Sequence, residues 1–195
     1  MNIQTEMKNV TQESDEGLVE RMGAGEKPAF DELYRRYSDP LFSFFMKMLG
    51  RDREKCEDFL QDIFMRLFEK SNYFDLSRQF KPWIYSVAHN MVKNEYKKIQ
   101  VRQIMSRDAD TENIRVNGNS PDAVTEEQLF SEKLNACLLK IDPDKKAAFI
   151  LKYKEGFAIH EIANIQGVKE GTIKSRLFYV KKYLCNELSE FKPNI

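Results

Sequence analysis

Apolar residues recur at helical spacing along almost the whole chain, in segments separated by short polar breaks. One segment runs from about Pro28 to Leu49, and Gly50 suits its C-terminal cap. Another runs from about Glu54 to Lys70, and a third, with Pro82 in its first turn, reaches about Lys98. No alternating run of β-branched residues bounded by hairpin signals interrupts the series. The pattern therefore predicts an all-α protein whose proline and glycine residues fall only at breaks between helices.

The first two of these helices carry long aromatic and aliphatic stripes, which we expect to face one core. The first stripe is Phe30, Leu33, Tyr34, Tyr37, Leu41 and Phe45, and the second is Cys56, Phe59, Leu60, Ile63, Phe64, Leu67 and Phe68.

Periodicity fails from about residue 101 to residue 123, where Asn, Asp, Ser and Gly accumulate. Asp108 to Glu127 carries six acidic residues against one basic residue. We interpret residues 101–123 as a flexible acidic linker between two small helical domains, residues 15–100 and 124–188, with tails at 1–14 and 189–195. We call residues 15–100 domain one and residues 124–188 domain two.

The segment GFAIHEIANIQGVKEGTIKSRLFYVKKYL has the spacing of a helix-turn-helix. Ala163 permits close approach of the second helix, Gly167 supplies the positive φ of the turn, and Ile173 fills the angle between the helices. With its apolar residues turned inward, the second helix presents a basic and aromatic face made of Gly171, Lys174, Ser175, Phe178, Tyr179 and Lys182.

An aromatic side chain on such a face has an apolar partner in the DNA major groove, the thymine methyl group, while Lys and Arg suit guanine edges and phosphates. The alternative is that Phe178 packs on a neighbouring helix and the lysines are a solvated face. Charge supports the first interpretation, since five basic residues and one acid lie between Lys169 and Lys182, although the 31 basic and 31 acidic residues of the whole chain cancel.

The sequence contains few residues in the arrangements that metal binding, redox chemistry or membrane insertion requires. Cys56, Cys137 and Cys185 lie far apart at apolar helical positions, without the spacing of a zinc site, and we expect buried free thiols. His89 and His160 stand alone. We expect no cofactor, no metal, no small-molecule substrate and no membrane insertion, and, because the N-terminus lacks a signal-peptide pattern, a cytoplasmic protein.

Two parts of the chain resemble one family. LNACLLKIDPDKKAAFILKYKEGFAIHEIANIQGVKEGTIKSRLFYVKKYL resembles region 4 of the extracytoplasmic-function (ECF, RpoE-like) sigma factors of the sigma-70 family. AFDELYRRYSDPLFSFF, CEDFLQDIFMRLFEK and FKPWIYSVAHNMVKNEYKK resemble sigma region 2, in the expected order. The resemblance covers about Asp15 to Leu184 apart from the linker and implies a promoter-recognition subunit of RNA polymerase that is not itself an enzyme.

The resemblance implies three sets of contact residues. The clamp helices of the polymerase β′ subunit would bind Asp58, Gln61, Asp62 and Arg66, and the β flap would be a further polymerase contact. The melted minus-ten element would contact Leu76, Ser77, Arg78, Lys81, Trp83, Asn90, Lys93 and Lys97, with Tyr85 and Tyr96 interleaved for stacking. The duplex minus-thirty-five element would contact Gly171, Thr172, Lys174, Ser175, Arg176, Phe178, Tyr179, Lys181 and Lys182.

The family also implies promoter DNA and an anti-sigma factor as partners. Three positions depart from its pattern: Ala158 stands where Ser or Thr usually caps the first helix of the helix-turn-helix, Gln166 replaces an apolar residue before the turn, and Tyr179 replaces a common basic residue. The alternative function is a stand-alone helix-turn-helix regulator that binds duplex operators. The sequence does not favour an enzyme acting on nucleic acid, because such an enzyme needs clustered carboxylates or metal ligands and the acidic residues here are spread along polar helix faces.

Overall fold

The computed structural model describes residues 10–50, 52–70, 74–105 and 125–191, and every regular element within these ranges is helical. The α-helices are, in order, α1 (Asp15–Gly23), α2 (Lys27–Met48), α3 (Arg53–Lys70), α4 (Phe80–Met105), α5 (Glu126–Leu139), α6 (Pro143–Tyr153), α7 (Ile159–Gln166) and α8 (Glu170–Glu187), followed by a 3₁₀ helix (Ser189–Phe191). The predicted all-α class is confirmed.

Side chains close to the helix starts satisfy backbone amides that have no partner within the helix. Ser14 accepts from the amide of Gly17 at 3.1 Å at the start of α1, and Asp142 accepts from the first amides of α6. At α7 the Ala158 side chain offers no acceptor, but the carboxylate of Glu161 accepts from the Ala158 amide at 2.6 Å. Half of a capping box therefore remains where the usual cap is missing.

Helices α1 to α4 enclose the core of domain one, which is rich in aromatic rings. Its fully buried side chains include Leu18, Leu33, Leu41, Phe44, Phe45, Ile63, Leu67, Phe80, Ile84 and Tyr85. Two residues of the predicted stripes are exposed, because no described helix covers them: Tyr34 is 44% exposed and Phe68 is 63% exposed. Phe30, Phe59 and Leu60 are half-buried. The prediction about prolines is also wrong at Pro40, which lies inside α2.

Helices α6, α7 and α8 form the helix-turn-helix unit of domain two, and α5 packs beside α8. A small apolar cluster of Cys137, Leu138, Val180 and Leu184 joins those last two helices. The rest of the domain-two core is continuous with that of domain one, because α4 contacts α7 and α2 contacts α6. The two domains are therefore packed against each other.

The predicted domain boundaries need correction at both tails and at the linker. Val10 is buried in domain one, and Arg36 donates to the carbonyl oxygen of Thr11 at 2.9 Å, so part of the predicted N-terminal tail is structured. Helix α4 continues through residues 101–105, and the 3₁₀ helix packs Phe191 against Phe130 of α5. Residues 1–9, 106–124 and 192–195 lie outside the described part of the chain. None of the described helices is long and apolar enough to cross a membrane.

Candidate functional site

The corner between α7 and α8 has the geometry that the sequence predicts for a helix-turn-helix. Gly167 ends α7 with φ of 64°, and the amide of Val168 reaches back to the carbonyl oxygen of Ala163 at 3.0 Å. A left-handed residue with this returning hydrogen bond closes the helix end tightly. Ile173 is fully buried in the angle between the helices. The turn therefore fixes the direction in which α8 leaves the domain.

The outward face of α8 is basic and aromatic. Phe178 is 61% exposed, and its ring contacts that of Tyr179 with centroids 5.7 Å apart. With this exposure, Phe178 is not packed against a neighbouring helix, as the alternative interpretation of this residue required. The buried residues of α8 are Ile173, Leu177, Val180 and Leu184. On its outward side, Thr172 is half-buried and the exposed residues are Gly171, Lys174, Ser175, Lys181 and Lys182.

Arg176 differs from the other basic residues of α8, because its guanidinium is held inside domain two. Its Nη2 atom donates to Oδ2 of Asp144 at 2.9 Å, and its Nη1 atom donates to Oε1 of Gln166. Gln166 in turn donates to the carbonyl oxygen of Asp144 at 2.9 Å. This network explains why a polar residue at position 166 is tolerated in a buried place. The predicted phosphate contact of Arg176 would have to break or share it.

The loop before α4 is held by hydrogen bonds to Asp75. One of its carboxylate oxygens accepts from both the amide and the hydroxyl of Ser77, at 3.0 and 2.6 Å. The hydroxyl of Ser77, with its amide, holds the pKa of Asp75 below its ordinary value. Arg78 lies 3.4 Å from the same carboxylate. Leu76, Ser77 and Arg78 are exposed on this turn, so the predicted pocket residues project from a preformed loop.

Trp83 is half-buried at the start of α4, in a cluster of rings. Its ring centroid lies 5.1 Å from that of Phe74 and 5.7 Å from that of Phe80. One part of the indole is covered and the remainder reaches the surface. Further along α4, the predicted residues Asn90, Lys93 and Lys97 are exposed at spacings of three and four and so share one side of the helix.

Two tyrosines of α4 do not have the exposure that base stacking requires. Tyr85 is fully buried, and its hydroxyl donates to Glu155 at 2.6 Å. Tyr96 is half-buried, with its hydroxyl 2.5 Å from the carbonyl oxygen of Met48. Tyr85 is therefore not available for base stacking in this arrangement of the two domains. A helical pattern alone does not reveal that a second domain covers this face.

On α3 the predicted polymerase contacts Asp58, Gln61, Asp62 and Arg66 are all exposed. They lie beside a feature that the sequence reasoning missed, an apolar groove of about 460 Å³ between α2 and α3. The groove is lined by Phe30, Tyr34, Glu57, Leu60, Gln61, Phe64, Met65, Phe68 and Glu69. The sequence indicates this groove through the apolar stripe on α3, which covers a wider part of the helix circumference than packing against one neighbouring helix requires.

The cysteines are free, as predicted, but they are not all buried. Cys56 and Cys137 are buried and Cys185 is exposed on α8. Burial raises the pKa of the Cys56 thiol to about 12, so it is protonated at neutral pH. Within residues 10–50, 52–70, 74–105 and 125–191, no three His, Cys, Asp or Glu side chains gather as metal ligands would.

Comparison with known proteins matches the two domains to two family models. Residues 33–102 match Sigma-70 region 2, and residues 131–184 match Sigma-70, region 4. Together the matches cover most of the chain, in the order in which the two regions occur here.

Curated relatives agree with the family models. The chain is 29% identical over 183 residues to the ECF RNA polymerase sigma-E factor of Haemophilus influenzae, with 90% of this chain and 95% of that protein covered. It is 26% identical over 179 residues to the ECF RNA polymerase sigma factor SigW of Bacillus subtilis, with 88% and 95% covered. It also matches the ECF sigma factor BldN of Streptomyces coelicolor at 26% identity, where it spans 65% of the relative.

Solved structures share the fold. CnrH, solved in complex with the cytosolic domain of CnrY, superposes with a TM-score of 0.69 at 18% identity, covering 92% of this chain and all of that one. The sigma factor RpoE of Bartonella quintana, solved in complex with the anti-sigma factor NepR, gives a TM-score of 0.67 at 23% identity, covering 84% and 98%.

Proposed function

The chain belongs to the ECF group of the sigma-70 family, and from this premise we propose how its residues divide the work of promoter recognition. It binds core RNA polymerase and directs promoter recognition and transcription initiation. The observation that carries this function is the presence of both regions, region 2 and then region 4, in one chain. We infer that the chain contributes binding energy and no chemical step of its own.

Domain two would read the duplex minus-thirty-five element with α8. Lys174, Ser175 and Phe178 lie on its outward face and would approach base edges, with Phe178 against a thymine methyl group. Lys181 and Lys182 are exposed one turn further and would contact phosphates. Gly171, Thr172 and Tyr179 would complete the contact, whereas Arg176 would mainly hold the helix in place through Asp144.

Domain one would hold the opened minus-ten strand. The turn at Asp75 presents Leu76, Ser77 and Arg78 to a base that has left the stack, at a cost of a few kcal/mol for unstacking. Trp83 offers the exposed part of its ring for stacking. A basic side of α4, with Lys93 and Lys97 next to Asn90, would follow the phosphates. Lys81, whose ammonium lies 3.3 Å from the backbone oxygen of Glu155 in domain two, would join them.

Core polymerase would dock on α3. The exposed polar residues Asp58, Gln61, Asp62 and Arg66 form one face of this helix, and a helix pair of the β′ clamp suits such a face. The β flap would hold domain two. An anti-sigma factor would compete with core polymerase for the chain. Among the similar solved structures, RpoE is bound to the anti-sigma factor NepR and CnrH is bound to the cytosolic domain of CnrY.

Run-off transcription with purified core polymerase on a promoter library tests this function. We expect discrete transcripts that require both the chain and core enzyme, and co-elution of the two proteins in size-exclusion chromatography. A stand-alone regulator would instead protect a specific duplex without polymerase. Specific footprints by the isolated chain, together with no transcript in the presence of core enzyme, would exclude the proposed function.

A further inference from the structure

Helix α6 contributes a lysine to the outward face of α8. The ammonium of Lys145 lies 5.6 Å from the centroid of the Tyr179 ring. Tyr179 is 59% exposed on α8, and its ring also contacts that of Phe178. The Lys145 ammonium is therefore one ring away from the residue proposed to meet a thymine methyl group, although Lys145 belongs to another helix.

Arg176 fixes the place where this contact forms. Its guanidinium binds Asp144, the residue before Lys145, at 2.9 Å, and Tyr179 follows Arg176 about one turn later on α8. The start of α6 is thus tied to the turn of α8 that carries Tyr179. The position of Lys145 is consequently set by the fold of domain two and not by its contact with the ring alone.

The carboxylates next to Lys145 in the sequence have other partners. Asp142 accepts from the first backbone amides of α6 at 3.1 and 3.2 Å. Asp144 binds Arg176 and lies 3.4 Å from Nε2 of His89. Among the described residues, no carboxylate lies within ion-pair distance of the Lys145 ammonium. Lys145 also lies in the first turn of α6, where the helix dipole disfavours a positive charge, so this charge does not stabilise its own helix.

A second pair of the same kind joins the two helices in the opposite sense. Here the lysine is Lys181 of α8, and its ammonium lies 5.1 Å from the ring centroid of Tyr153, the last residue of α6. Tyr153 is 50% exposed. A cation over an aromatic face keeps its charge while its position is restrained. Lys181 is already a proposed phosphate contact, so the outward surface of domain two is built from both helices.

The chemistry of Lys145 suits a DNA phosphate better than a base edge. An ammonium is a compact point charge and has no planar fork to match the edge of a base. The major groove is about 12 Å wide and is bordered by the two phosphate backbones. Because Lys145 extends from α6 and not from the helix proposed to enter the groove, its ammonium would meet the border of the groove.

We propose that Lys145 is a DNA-binding residue of this chain, which contacts a phosphate of the duplex minus-thirty-five element, and that Tyr179 is the positioning residue that holds its ammonium there. The inference rests on the proposed function, because it takes α8 to lie in the major groove. A lysine that is restrained before binding loses less conformational freedom when it meets the phosphate. Helix α6 is then part of the surface that contacts DNA.

The salt dependence of promoter binding tests this role. Holoenzyme is assembled from core polymerase and the full chain, and its affinity for a labelled promoter duplex is measured from about 50 to about 200 mM salt. Each phosphate contact adds about 0.9 to the slope of log affinity against log salt. Lys145→Gln should lower the slope by about that amount, so the advantage of the parent chain should shrink about 3.5-fold over this range.

The preference for promoter sequence is a second measurement. Because a phosphate carries no sequence information, Lys145→Gln should weaken binding to duplexes with different minus-thirty-five bases by one common factor. Phe178→Ala should instead relax the preference at one position. A change of preferred base in Lys145→Gln would place the lysine at a base edge and overturn the phosphate contact.

Further variants separate a phosphate contact from a packing contact. Lys145→Arg keeps a cation that can lie over the same ring and should keep the parent slope, as should Tyr179→Phe, which keeps the ring. Tyr179→Leu removes the ring and should lower the slope, by no more than Lys145→Gln does. Lys140→Gln, at the exposed end of α5, is the matched loss of charge and should leave the slope unchanged.

Equal slopes in Lys145→Gln and the parent would overturn the inference, and so would an equal loss of slope in Lys140→Gln. Circular dichroism follows the fold of each variant. A loss of helix content and of slope in Lys145→Gln that Lys145→Arg does not restore would assign Lys145 to the fold and also overturn the inference. A parent holoenzyme that binds its promoter no better than a random duplex would refute the proposed function itself. Equal slopes with a normal promoter preference would refute only the role of Lys145.

Discussion

Arg176 of the reading helix α8 places its Nη2 atom 2.9 Å from Oδ2 of Asp144 at the start of α6. The same guanidinium donates to Gln166 at the end of α7, so one side chain ties together three helices of domain two. Removing it leaves two partly buried acceptors without their donor. We expect Arg176→Ala to lower the free energy of unfolding by about 2 kcal/mol, measured by urea titration of the helical circular dichroism.

Lys174→Ala is the matched control for that experiment. Lys174 is exposed two residues earlier on α8, and an exposed lysine away from such a network changes stability by less than about 0.5 kcal/mol. Equal losses in both variants would show that the Asp144 network contributes nothing to the fold.

Loss of side chains on the outward face of α8 should weaken duplex recognition. We expect Lys174→Ala and Phe178→Ala each to cost about 1–3 kcal/mol of binding to a minus-thirty-five duplex, because each removes a contact to a base edge. The measurement is holoenzyme binding to labelled promoter DNA. Affinity for core polymerase, measured by anisotropy, should stay unchanged. A fall in core affinity as large as the fall in duplex binding would contradict the assignment of this face.

Changes on α3 should have the opposite effect. We expect Gln61→Ala and Asp62→Ala each to weaken core binding by about 1–2 kcal/mol, since both side chains belong to the proposed docking face. Anisotropy of a dye-labelled chain titrated with core enzyme gives the affinity. Glu20→Ala, an exposed change on α1, serves as control and should bind core normally. Normal binding by both α3 variants would place the docking surface elsewhere.

Glu32 should make the stability of the protein depend on acid pH. Its buried carboxylate accepts two hydrogen bonds from Arg35, at 2.8 and 2.7 Å, and one from Arg36 at 2.7 Å. The two bonds from Arg35, and then the one from Arg36, lower its pKa from 4.5 to about 2, against the opposing effect of burial. Because the folded-state pKa lies below the unfolded one, this stabilisation is complete above about pH 4.5 and is lost as the pH falls towards 2.

The variant Glu32→Gln tests this dependence. At pH 7 it should unfold at a lower urea concentration than the parent chain, and the difference should shrink steadily as the pH falls below 4.5. Glu20→Gln, at an exposed position, should follow the parent at every pH. A gap between Glu32→Gln and the parent that stays constant from pH 7 to pH 3 would show that the carboxylate is not the source.

The helices and the outward face of α8 could be predicted because a half-buried helix has apolar residues that recur about every 3.6 positions in the sequence. The inward set of α8, including Ile173 and Leu177, follows that period and is buried as predicted. The same reasoning failed at Phe68, because a period identifies an apolar face but does not tell whether a neighbouring helix covers it.

The contacts between the domains could not be predicted, because they join residues far apart in the sequence. Lys146 donates to the carbonyl oxygen of Met48, which lies 98 positions away in the sequence. A lysine between polar and small residues gives no signal of burial. Tyr85 looked like a surface aromatic among lysines for the same reason. The roles of Gln166 and Arg176 were hidden too, since each departs from a simple pattern and the two compensate one another only in three dimensions.

The corner at Gly167 selects for handedness and not for size. A β-carbon added there would meet no described atom within 4 Å, yet φ is 64°, a torsion that is strained for an L-residue and relaxed for its mirror image. L-alanine at this position should therefore destabilise the corner through its torsion angle and not through a clash, whereas a D-residue would have the favoured torsion, with its side chain on the opposite side of the α-carbon. The residue at this corner is dictated by the stereochemistry of the backbone alone.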